Sequence, residues 1–106
     1  MTVSILSHLS QLIEHRKSES SERSYVASLL DAGEDKILRK LMEECTEVLL
    51  ASKQNSKEEV IKEMADLWFH SLVLLGHHHL TVEDVCQELT RREGLSGLTE
   101  KAMRQK

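Results

Sequence analysis

The sequence predicts an all-α fold, a helical bundle built on one antiparallel helical hairpin, and three observations predict it. Proline is absent and glycine occurs only 4 times in 106 residues, a composition that favours helix and offers few strand signals. Apolar residues recur along nearly the whole chain at the helical period. Short polar stretches that can cap helices, above all Ser56-Lys57-Glu58-Glu59, interrupt that pattern at intervals too short for domain linkers. The length fits a single domain spanning residues 1–106, large enough to build a core but with little to spare, so that partners or oligomerisation would help.

Ile5, Leu6, Leu9, Leu12 and Ile13 follow the start signals Thr2 to Ser4 and predict an amphipathic helix over about residues 4–17. The polar run Lys17 to Ser21 is a connection. Val26, Leu29 and Leu30 make the stripe of a short helix that Gly33 ends. From Glu34 to about Lys53, Ile37, Leu38, Leu41, Met42, Cys45, Val48 and Leu49 predict one core stripe. Lys53-Gln54-Asn55 reads as that helix's end, and Ser56 as N-cap of the next, with Glu59 reaching back to it. That next helix, about 57–77, is expected to bury Val60, Ile61, Met64, Trp68, Leu72 and Leu75. Phe69, Val73 and Leu74 make its C-terminal half apolar nearly all round, which implies burial by a further helix or by a second subunit, a dimer or larger oligomer being the preferred expectation. Thr81-Val82-Glu83-Asp84 opens a helix to about Glu93 with Gly94 as its stop, and the basic tail follows from Leu95.

The net charge of -4 argues against a nucleic-acid-binding surface, although a polyphosphate can still be held through a cation and local lysines. No apolar run reaches the roughly 20 residues that span a bilayer, and the N-terminus lacks the apolar core of a signal peptide. Cys45 and Cys86 occupy apolar helical positions, where free buried thiols of a reducing compartment are expected, so the cytoplasm is the expected location.

The candidate chemistry lies in the hairpin. Glu44 and Glu47 are three residues apart, as are Glu63 and Asp66, so each pair shares one face of its helix. Glu47 and Glu63 lie eight residues either side of Asn55, and Glu44 and Asp66 eleven, so each pair should meet across the turn. Such acids can be a solvated surface, as most glutamates are. Four converging at one level cost stability unless a cation neutralises them, and hard oxygen ligands suit Mg²⁺. Lys36 and Lys40 suit phosphate contacts beside a metal, and equally suit pairing of Lys40 with Glu44. His70, one turn beyond Asp66, reads first as a hydrogen-bonded boundary histidine and second as a partner of the site. His77-His78-His79 reads as a cationic cluster at a helix C-terminus, because adjacent helical residues point apart. Zinc and P-loop motifs are absent.

E-E-x-x-E at Glu43 to Glu47 followed by E-x-x-D at Glu63 to Asp66 resembles the MazG-type all-α nucleoside triphosphate pyrophosphohydrolases. Ser24-Tyr25 with Leu29, the stretch Gly33 to Lys40, Ala65-Asp66-Leu67 and the tail Ser96 to Arg104 are similar, more narrowly, to the phosphoribosyl-ATP pyrophosphatases of histidine biosynthesis. The resemblance covers about residues 20–105, and the Gly-x-x-Lys-Ile and Ser-Gly-x-x-Glu-Lys-Ala stretches are its more specific parts. Met42, Cys45 and Trp68-Phe69 depart from the pattern at packing positions. It implies Mg²⁺-dependent hydrolysis of 1-(5-phosphoribosyl)-ATP to 1-(5-phosphoribosyl)-AMP and pyrophosphate. Glu44, Glu47, Glu63 and Asp66 would be the metal ligands, with Glu43 beside them as a further acid. Lys101 and Arg104, on one face if Ser96 to Gln105 is helical, are expected to contact substrate phosphate from the side opposite Lys36 and Lys40, the alternative being a frayed and solvated C-terminus. The alternatives are a house-cleaning hydrolase of non-standard nucleoside triphosphates and a non-enzymatic helical dimerisation module.

Overall fold

The computed structural model describes residues 2–93 and 97–104. Among them the chain forms α1 (Thr2–Arg16), α2 (Tyr25–Ala32), α3 (Glu34–Lys53), α4 (Lys57–His77), α5 (Val82–Arg92) and α6 (Gly97–Arg104), with no strand. The all-α expectation holds, and α3 and α4 have the expected bounds. Gly94, Ser96 and Gln105, which delimited the expected last two helices, lie outside the described residues.

Helix ends explain why the hairpin turns where it does. Asn55 adopts a left-handed φ of 58°, a conformation that asparagine tolerates better than most residues. Its amide then donates to the Ser52 carbonyl at 3.0 Å and the Ser56 amide to the Ala51 carbonyl at 3.4 Å, which closes α3. Ser56 Oγ accepts from the Glu59 amide at 3.3 Å. The expected return bond from Glu59 is replaced by the bond to Ala51, because one amide cannot serve both well. The same closure recurs at His79, φ 61°, where the Leu80 amide reaches the Leu75 carbonyl at 2.8 Å. Asp84 then accepts from the Thr81 amide at 2.9 Å and starts α5.

The core sits at the end of the hairpin away from its turn. Ile13, Val26, Leu29, Ile37, Leu72, Val73 and Val82 bury against one another, so α1, α2 and α5 pack around the C-terminal half of α4. Gly76 permits the closest approach: a Cβ there would stand 2.9 Å from Ile13 Cγ2. Ser10, buried on α1, accepts from the Val82 amide at 3.2 Å and so ties the first turn of α5 to α1.

Four packing expectations are corrected. The single stripe expected on α3 is two. Ile37 and Ala51 are buried with Glu44 between them, whereas Leu38, Met42, Cys45 and Leu49 face out, Met42 being 72% exposed. On α4, Ile61 is 71% and Trp68 53% exposed rather than buried. Conversely Val73 is fully buried within the chain, with Phe69 and Leu74 packed against the core, so the belt read as intersubunit is internal. Cys45 is exposed and Cys86 partly buried, not the two buried thiols expected, and both are free.

Candidate active site

Helix register carries the carboxylates inward. Ile37, Glu44 and Ala51 recur every seven residues, about two turns, so the face that plugs α3 into the core also points Glu44 at α4. Glu44 is only 6% exposed. Across from it, Glu63 is half-buried and Asp66 exposed. One ligand oxygen from each of Glu44, Glu63 and Asp66 lies within 4.8 Å of the others. Glu47 meets Glu63 side chain to side chain. The two helices therefore bring all four acids together, as the symmetry about Asn55 requires.

The cost of that convergence shows at Glu63. Its hydrogen bond with Glu47, then burial, then the negative charges of Glu47, Asp66 and Glu44 push its carboxyl up to about 7. Of the four acids Glu63 thus has the firmest hold on a proton, which its contact with Glu47 stabilises. Its Oε2 is buried without a hydrogen-bond partner among the described residues. The nearest lysine pair beside them, Lys40 with Glu43, lies outside the four. A buried oxygen without a donor, in a crowd of carboxylates, is the environment a hard divalent cation fits.

Cations stand beside this cluster rather than in it. Lys40 Nζ lies 3.4 Å from Glu43 Oε2. Its pKa is raised by that hydrogen bond first and by Tyr25 next. Glu44 turns inward, so the expected pairing of Lys40 with Glu44 gives way to pairing with Glu43, which points outward and does not join the other acids. Lys36 is exposed on α3, and Lys101 and Arg104 are exposed on α6.

His70 stands beside the acids, hydrogen-bonded as its first reading expects but buried rather than at a boundary. It is 6% exposed. Its Nδ1 lies 2.9 Å from the Asp66 carbonyl and 3.4 Å from Glu44 Oε1, and its Nε2 lies 2.9 Å from the Tyr25 hydroxyl. The signal available in the sequence was its distance from Asn55, fifteen residues, which puts it level with Lys40. The pairing with Tyr25, 45 positions away, left no such signal.

The histidine run does not splay as adjacent helical residues would. His77 ends α4 and His78 is its cap, so the backbone has left helical geometry. Their ring centroids come within 5.0 Å, and His78 Nε2 lies 3.0 Å from Glu34 Oε2. His79 Nδ1 lies 3.4 Å from Lys17 Nζ. The run therefore caps α4 against the first turn of α3 and the end of α1.

Residues 6–93 match the family model described as phosphoribosyl-ATP pyrophosphohydrolase. A curated relative from Neisseria meningitidis serogroup B, named phosphoribosyl-ATP pyrophosphatase, is 56% identical over 101 residues, covering 95% of this chain and 94% of its own. Relatives of the same name from Nitrosospira multiformis and Chromobacterium violaceum are 57% and 51% identical, covering 94% and 98% of this chain and 83% and 96% of their own.

Proposed function

This chain belongs to the phosphoribosyl-ATP pyrophosphohydrolase family, and on that premise we propose that it hydrolyses 1-(5-phosphoribosyl)-ATP to 1-(5-phosphoribosyl)-AMP and pyrophosphate. The reaction is the second step of histidine biosynthesis, carried out by a cytoplasmic homodimer with Mg²⁺ as cofactor. The observation that carries the site assignment is the meeting of Glu44, Glu63 and Asp66 within 4.8 Å, with a buried Glu63 oxygen that has no hydrogen-bond partner among the described residues.

Glu44, Glu47, Glu63 and Asp66 are the residues that would hold Mg²⁺. When bound, the ion supplies charge neutralisation at phosphate oxygens and a water of lowered pKa. The chain's own contribution is positional. The rigid α3–α4 hairpin fixes the acids, and Glu63 must give up its proton for all four to act as ligands. Lys36 and Lys40 on α3, with Lys101 and Arg104 on α6, offer positive charge to the polyphosphate from outside the acid cluster. One water adds to phosphorus as the α–β bridging bond breaks, and pyrophosphate leaves.

Pyrophosphate release from phosphoribosyl-ATP, measured with Mg²⁺ and with EDTA beside a panel of ordinary and non-standard triphosphates, tests the proposal. Release that needs Mg²⁺ and favours phosphoribosyl-ATP is the expected result. Preference for non-standard triphosphates would make the chain a house-cleaning hydrolase, and no release from any of them would leave a helical assembly module.

A further inference from the structure

We infer that His70, held by Tyr25, is a positioning residue that orients Glu44 from its buried place between α3 and α4. The inference rests on the reading of Glu44 as a metal ligand.

The hydrogen atoms follow from the partners. A backbone carbonyl only accepts, so the Asp66 carbonyl, 2.9 Å from Nδ1, places a hydrogen on that nitrogen. The same Nδ1 lies 3.4 Å from Glu44 Oε1, a polar contact that reaches from α4 across to α3. When that is the ring's one hydrogen, Nε2 is an acceptor and the Tyr25 hydroxyl, 2.9 Å away, donates to it. Tyr25 thereby selects the tautomer with its hydrogen on Nδ1.

The ring itself is boxed in. Tyr25 and Phe69 both meet it edge to face, with centroids at 5.8 and 5.3 Å. His70 and Glu44 are both 6% exposed, so water does not compete for the contact.

Three substitutions separate positioning from packing. In His70→Asn the amide nitrogen can stand where Nδ1 stood, whereas His70→Gln carries its amide to the Nε2 position. Tyr25→Phe removes one hydroxyl from a half-exposed side chain. Mn²⁺ serves as the probe, its binding followed by calorimetry and by its paramagnetic resonance, with circular dichroism in EDTA as the control for folding. His70→Gln should weaken Mn²⁺ binding by about 10-fold or more, and His70→Asn should recover most of that loss. Imidazole ¹⁵N shifts of the metal-free protein should show His70 as the Nδ1–H tautomer, and as a mixture in Tyr25→Phe. A folded His70→Gln with wild-type affinity overturns the inference, as does an equal loss in Gln and Asn. If His70→Gln does not fold, Tyr25→Phe decides, and an unchanged tautomer with unchanged affinity overturns it. Wild-type protein that binds no Mn²⁺ would remove the ligand assignment itself. Loss in Glu47→Gln with no loss in His70→Gln would leave that assignment standing and remove only the role of His70.

Discussion

Glu63 ties stability to pH in a direction opposite to most carboxylates. Its ordinary value is 4.5 and its folded value about 7, so between those limits the folded chain binds a proton that the unfolded chain has lost. The stabilisation is complete below about 4.5 and disappears as pH rises through 7. Glu88, drawn down to about 2 by Arg91 and Arg92, acts in the other sense and only below its ordinary value, so it leaves this window to Glu63. Metal-free protein should therefore lose Tm between about pH 5 and pH 8, whereas Glu63→Gln, whose amide donates to Glu47 without titrating, should lose less. A parallel decline in both proteins would show that histidines, not Glu63, set the slope. Mg²⁺ displaces the same proton, so wild type should release it on binding. For turnover, Glu47→Gln should lower kcat/KM by about 100-fold or more with the circular dichroism spectrum unchanged; near-normal turnover at limiting Mg²⁺ would remove the acids from the mechanism.

At the scale of helices, α3 and α4 were legible to their ends because local chemistry marks them: Gly33 with φ 101° before Glu34, Asn55 in the left-handed region, and Ser56 as cap. The carboxylate pairing was legible for the same reason, since a turn at a known residue fixes which levels face. Which apolar stripe turns inward was not, because the series from Ile37 and the series from Leu38 both keep helical spacing and only the neighbours in space choose between them. Gly76 is a second case: nothing local announces that Ile13 will lie against it. Gly76→Ala should gain about 1 kcal/mol of helix propensity and lose about 1–3 kcal/mol to overpacking. Chemical denaturation is expected to show a net loss, and a stabilised variant would mean that α1 can shift away freely. The role of α6 can be tested by truncating residues 96–106. KM for phosphoribosyl-ATP should rise steeply while Mg²⁺ affinity stays unchanged, and an unaltered KM in a folded truncation would remove Lys101 and Arg104 from the site.

For the molecule as a whole, a compact chain of this length has a radius of gyration of about 13 Å, and this one measures 16.0 Å. The single chain leaves outside it surface that a compact domain would fold in. Met42 and Trp68 lie level about Asn55, as do Leu49 and Ile61, so the hairpin carries a ladder of exposed apolar side chains on its outer face. A second copy of the chain is the partner we propose for it, replacing the belt at Val73 that the sequence suggested. Sedimentation at micromolar concentration should show dimer or larger species, and Leu49→Lys with Ile61→Lys should shift it to monomer; a wild-type monomer would mean the ladder stays wet.

The chain has a single indole, Trp68, and it stands on that outer ladder, 53% exposed. Most proteins bury their tryptophan, so that its emission reports melting. Here the colour of the light should follow crowding instead. On dilution the emission should move to longer wavelength while the helical signal holds, and a dissociated chain that then unfolds should hardly change hue. The fluorimeter, for this molecule, counts neighbours.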